Sequence, residues 1–213
     1  MLVPAMTINE IRRDIDKDYP SVKSKASYMA HKVARIFGPG KDKNVVRFFE
    51  YCSFNKNKWI YKIQIHKKQE HFLLFTYYYN NKGLNAFSLL EPFDYLLHFT
   101  GHFFARYNQR LQLNLVQPND IIRAYMEENS SYTFYKRKII SKGIVKIFCL
   151  TEKGIILGTQ DDNTKVYHMN TFIPYFMLSN RKIKTIEEMM DCVIKMWNDS
   201  IRQKITMSVF KCK

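Results

Sequence analysis

His98, His102, Arg106 and Arg110 follow one another at steps of four in DYLLHFTGHFFARYNQR. On a helix over 93–113, drawn at 100° per residue, His98, Arg106 and Gln109 fall within about 40° of His102, with Arg110 on the flank. Leu96, Leu97, Phe103, Phe104, Tyr107 and Leu111 occupy the opposite face, the side that must be buried. An imidazole exchanges protons near neutral pH, and a guanidinium stays cationic and meets two phosphate oxygens at once. Together they supply what metal-free phosphodiester cleavage requires, a proton-transfer group beside a fixed cation. The bland alternative is a solvated polar stripe on an amphipathic helix.

Other chemistries find less support. Asp94, His98 and His102 have helical spacing for a metal, but Phe99 stands where a zincin helix carries its general-base Glu. Neither a metal nor a cofactor is expected. Cys52, Cys149, Cys192 and Cys212 form no CxxC pair and read as reduced thiols. No glycine loop for phosphate, Ser/His/Asp signature or carboxylate pair is present, and no apolar run approaches membrane-spanning length. A cytoplasmic protein that avoids membranes is expected.

The chain has 213 residues, 34 Lys plus Arg against 19 Asp plus Glu, and a net charge of +15. Such an excess favours polyanionic partners, RNA or another nucleic acid first. Lys136, Arg137, Lys138, Lys142 and Lys146 lie in a stretch without an acidic residue, interleaved with Tyr132, Phe134 and Tyr135. That mixture suits single-stranded nucleic acid and equally suits a lysine-rich sheet edge kept from aggregating. Lys165 adds a cation on a neighbouring predicted strand.

These residues must be positioned by an α+β fold, antiparallel sheet with segregated helices. Thr7 and Glu10 have capping-box spacing at the start of an N-terminal helical segment (1–40). A second run over 21–38 follows Pro20, and GPGKDKN (38–44) marks a boundary. A single α+β domain is expected over 45–213. It opens with a three-stranded meander over 59–90 and continues with the long helix at 93–113. A helix over 121–129 capped by Asp120 comes next, then strands at 132–140, 143–152, 154–160 and 164–173. A C-terminal amphipathic helix over 183–205 carries Met189, Met190, Met196 and Trp197 as packing residues.

HFFARYNQR (102–110) resembles the signature helix of the ribonuclease superfamily that groups barnase, EndoU, colicin ribonucleases and RelE. Its small members often show His-Ala-x-x-Arg-x-x-x-Arg on a helix, then a second helix and an antiparallel sheet ending in a Thr or Ser strand. The similarity covers roughly 95–175; Gln109 stands where an acidic residue is common, and Arg-Leu where Arg-Gly often follows. The resemblance implies attack of a ribose 2′-OH on the adjacent phosphate. His102 would transfer protons, Arg106 and Arg110 would hold phosphate, and Thr171 would donate a hydrogen bond. His98 is a possible auxiliary, as is His168, three residues before Thr171; Lys146 or Lys165 could supply a further cation. A ribonuclease or ribonuclease-like toxin domain is therefore the expected function, and a protein inhibitor or regulator is a compatible partner. The alternative is a non-catalytic nucleic-acid-binding or regulatory module.

Overall fold

The computed structural model describes residues 1–37, 44–66, 69–91, 94–181, 184–186 and 188, without the side chains of His66 and Arg137. The chain divides into two compact units, Met1–Pro174 and Tyr175–Lys213. The first is an α+β unit. In chain order it contains α1 (Ile8–Phe37), β1 (Val45–Cys52), β2 (Lys58–His66), β3 (Gln69–Asn80), β4 (Gly83–Leu90) and β5 (Tyr95–Phe99). Then come α2 (Gly101–Arg110), α3 (Pro118–Glu128), β6 (Thr133–Ser141), β7 (Ile144–Leu150), β8 (Gly154–Asp161) and β9 (Val166–Pro174). The second unit opens with a 3-10 turn, Tyr175–Met177. Of the helix expected over 183–205, residues 184–186 and 188 are helical; the rest lies outside the described residues, with Met189, Met190, Cys192, Met196, Trp197 and Cys212.

The nine described strands form one sheet in the order β1-β2-β3-β4-β5-β9-β8-β7-β6. Two antiparallel meanders, β1 to β5 and β6 to β9, meet at a single parallel pair, β5 beside β9. Hairpins cannot make a parallel pair, and the crossover here consists of α2, α3 and three strands.

α1 covers one face of the first meander. Thr7 and Glu10 form the expected capping box: Glu10 accepts from the Thr7 backbone N–H at 2.7 Å, and the Thr7 hydroxyl lies 3.4 Å from the Glu10 amide. Two helical runs separated at Pro20 are expected from the sequence; the structure has one helix with Pro20 inside it. The apolar stripe explains the difference. Ile11, Ile15, Val22, Ala26, Ala30 and Val33 continue at steps of three, four and seven through the proline, and all are buried. Ser21 Oγ donates to the Asp18 carbonyl at 2.8 Å in the turn that the proline disturbs. Beneath this stripe lie Trp59, Tyr61, Ile63, Leu74, Phe87, Leu96 and Val166.

α2 and α3 cover the opposite face. Their Phe103, Phe104, Tyr107, Ile122, Tyr125 and Met126 join Ile60, Phe75, Leu97, Phe99, Met169 and Phe172 in a second core. Phe99, Phe103, Tyr107, Tyr125 and Phe172 meet mostly edge to face, the arrangement that ring quadrupoles favour. Lys62 enters this face, buried, and donates to the carbonyls of Met126 at 2.6 Å and Glu127 at 3.4 Å. It thereby satisfies the last turn of α3, while burial pushes its ammonium pKa down. α3 begins with Gln117 as its N-cap and Pro118 in the first turn; Asp120, the expected cap, lies inside the helix.

Candidate active site

The helix expected over 93–113 is two elements, β5 and α2. Leu96 enters the core under α1, whereas Leu97 and Phe99 enter the core under α2 and α3. A strand buried on both faces reads as a continuous apolar run, which a helical wheel also accommodates. Thr100 ends the strand and caps α2, its side chain accepting from the Phe103 N–H at 3.3 Å. Gly101 is required there: a Cβ would stand 2.1 Å from the Lys82 carbonyl oxygen of the β3–β4 turn.

This break separates the expected constellation. His98 belongs to β5 and His102 to α2, so the helical spacing of Asp94, His98 and His102 behind the metal alternative does not exist, whereas His102, Arg106 and Arg110 keep their steps of four on α2. His102 is exposed, and its ring makes no hydrogen bond among the described residues. Arg106 donates to Gln109 Oε1 at 2.8 Å, and Arg110 donates to the Phe172 carbonyl. Thr171 stands on the other side of β9: its neighbour Phe172 packs against Phe103 and Tyr107 of α2, and alternation turns Thr171 to the opposite face. His102 and Arg106 share α2, and Thr171 does not join them.

The structure brings together His98 and His168 instead, the two residues expected to be auxiliary. Parallel pairing of β5 and β9 sets them directly opposite. Their Nδ1 atoms lie 3.1 Å apart. His98 Nε2 lies 3.2 Å from Asn85 Oδ1, and the His98 ring stacks on Phe87 at 4.7 Å and 12°. The Asn85 amide donates through Nδ2 to the Gly83 carbonyl at 3.2 Å, and a carbonyl only accepts. That fixes every proton in the chain. Asn85 Oδ1 accepts from His98 Nε2–H, His98 Nδ1 must then accept, and His168 Nδ1–H donates to it. The lone pair of His168 is left on Nε2, which makes no hydrogen bond among the described residues. Burial first, and the neighbouring His168 second, push the pKa of His98 down to about 3. His168 is lowered by burial and partly restored by Asp161. Both rings are thus neutral at pH 7, with an oriented free base on His168.

The pair heads a row that crosses the sheet. His168 faces Thr159 on β8, Thr159 faces Lys146 on β7, and Lys146 faces Lys138 on β6. Residues directly opposite across strands share a face, so His98, His168, Thr159, Lys146 and Lys138 all lie on the α1 side of the sheet plane. A bulge in β9 between Met169 and Thr171 also returns Thr171 to this face, opposite Leu157. Lys138 and Lys146 are exposed and carry no ion pair among the described residues.

The other expected nucleic-acid contacts are dispersed. Lys136 occupies the opposite face and lies 4.0 Å from Asp162. Lys142 is exposed in the β6–β7 turn, and the Arg137 side chain lies outside the description. Lys165 is held 3.3 Å from Asp94, which also pairs with Arg12.

Asn85 and Thr159 have no sequence signal that selects them. A lone Asn in the apolar run LNAFSLL is the nearest hint, because a polar residue buried in a strand needs a partner. The described residues contain no cluster of three His, Cys, Asp or Glu that could hold a metal. Cys52 is exposed and Cys149 is buried, both free, and burial pushes the Cys149 thiol pKa up. No described helix is long and apolar enough to cross a membrane. No protein-family model, curated protein or solved structure matches the chain.

Proposed function

We propose that this protein cleaves RNA by metal-independent transesterification, with His168 as the general base and His98 as the residue that positions it. The observation that carries the reading is the Asn85–His98–His168 chain, which presents an unprotonated Nε2 on a sheet face bearing hydroxyls and free cations. A base oriented by a second group, itself oriented by a third, is the logic of nucleophile activation. The ribose 2′-OH gives its proton to His168 Nε2 while its oxygen forms a bond to phosphorus. The P–O5′ bond breaks, the 5′ oxygen takes a proton from water, and a 2′,3′-cyclic phosphate and a 5′-OH result. Asp161 offsets the charge of the transient imidazolium. The Thr159 hydroxyl and the Lys146 ammonium stand next in the row, where charge on the phosphate oxygens needs compensation.

This reading keeps the chemistry suggested by the sequence and moves it from α2 to the sheet. His102 has no orienting partner among the described residues, and the guanidinium groups of α2 are engaged by Gln109 and the Phe172 carbonyl. A second reading, a non-catalytic nucleic-acid-binding module, is favoured by Lys138 and Lys146 alone. Incubation with single-stranded RNA in EDTA separates the two. Cleavage to 2′,3′-cyclic ends by the wild type and not by His168→Gln supports the enzyme; equal binding without cleavage by both supports the module.

A further inference from the structure

Three parallel rows of side chains define the face that carries the histidine pair. The middle row is His98, His168, Thr159, Lys146 and Lys138. On one side of it runs Thr171, Leu157, Phe148 and Tyr135, a row without charge; on the other runs Val166, Asp161, Ile144 and Ser141. Asp161 is ionised: Asn163 N–H at 2.9 Å and Thr164 Oγ1 at 2.9 Å donate to its carboxylate and help hold its pKa low against burial. The cationic track is therefore one side chain wide, bordered by an uncharged row and by a carboxylate. Strands lie about 4.8 Å apart, so Lys146 and Lys138 stand about 10 and about 14 Å from His168 along the track.

We infer that the middle row is a path for one phosphodiester backbone crossing the strands from β9 to β6, which makes the substrate single-stranded and at least four nucleotides long. The inference rests on the reading of His168 as the reactive end. A phosphate at His168 and Thr159 is the one attacked, and Lys146 and Lys138 hold the phosphates that follow it. A duplex presents a second line of phosphates across its groove, and among the described residues neither row flanking this track carries a cation. Asp161 repels a second backbone on one flank, which disfavours the wrong substrate as well as leaving it unsupported.

Fluorescence anisotropy of the full chain with 2′-O-methyl RNA, whose blocked 2′ oxygen prevents cleavage, tests the path directly. A single-stranded 12-mer should bind at least 10-fold more tightly than the corresponding duplex. Lys138→Ala with Lys146→Ala should flatten the slope of log K against log[salt] by about 1.4, two phosphates at about 0.7 each. Lys153→Ala, removing a lysine paired with Glu128 at 2.8 Å, should leave the slope unchanged. Equal or tighter duplex binding overturns the inference, and so does an unchanged slope in the double variant. Single-strand preference without cleavage of ordinary RNA sinks the catalytic reading and leaves the path; cleavage without that preference does the reverse.

Discussion

Two constellations of histidine and cation lie on opposite sides of one sheet, and they differ in what surrounds them. On α2, His102 is exposed, Arg106 is engaged by Gln109 and Arg110 by the Phe172 carbonyl. On the sheet, His98 and His168 are fixed by Asn85, Phe87 and each other, and the lysines beyond them are free of ion pairs among the described residues. The helix has the better sequence pattern and the sheet has the better chemistry. Proton transfer needs one tautomer in one place, and a partly buried hydrogen-bond chain provides that where a solvated face does not.

The largest expected effect falls on the scaffold that holds the first meander. Asp18 is buried on α1 and accepts from Ser53 Oγ, Asn55 Nδ2 at 2.7 Å, Asn57 Nδ2 at 2.7 Å and Trp59 Nε1 at 3.3 Å. Asp18→Ala takes the acceptor from Ser53, Asn55 and Trp59 and leaves Asn57 with Asp14 alone, at 2.8 Å, and should cost about 3 kcal/mol in chemical denaturation. If the loss is under about 1 kcal/mol, α1 is not fastened to the sheet in this way.

Next comes the orienting ring. His98→Gln should lower kcat by about 10- to 100-fold with little change in KM, since it disturbs the tautomer of His168 without touching substrate. An equal rise in KM would instead make His98 a binding residue.

The same variant tests the buried neutral state. The folded pKa of His98, about 3, lies below the unfolded value of about 6.5. Its neutral ring therefore contributes stability fully above about pH 6.5, and that contribution is lost as pH falls toward 3. The margin in Tm of wild type over His98→Gln should shrink between pH 7.5 and pH 4.5. A margin that grows on acidification would mean that His98 is charged in the folded protein.

The smallest effect belongs to α2: Arg106→Ala should change stability by no more than about 0.5 kcal/mol and cleavage by less than 2-fold. A 100-fold loss of cleavage would return the chemistry to the helix.

Much of the scaffold was legible in the sequence because local patterns decide it. Alternation in WIYKIQIH and short turns such as NNKG place β2, β3 and β4, and Thr7 with Glu10 places the start of α1. β1 gave no clear alternation, since Val45, Val46, Phe48, Phe49 and Tyr51 are all only partly buried at an edge of the sheet. The β5 sequence fits a helical wheel because its apolar residues fill two cores at once. The site was hidden for a related reason. Its geometry depends on β5 and β9 pairing in parallel across 70 residues, and sequence spacing carries no record of that pairing.

The central claim is that His168, and not His102, takes the proton. The most direct measurement is cleavage of single-stranded RNA in EDTA by wild type, His168→Gln and His102→Ala side by side, resolving 2′,3′-cyclic ends. The account predicts cyclic products from wild type and His102→Ala at rates within about 2-fold, and at least a 100-fold loss in His168→Gln. Cleavage that survives in His168→Gln and disappears in His102→Ala would contradict it.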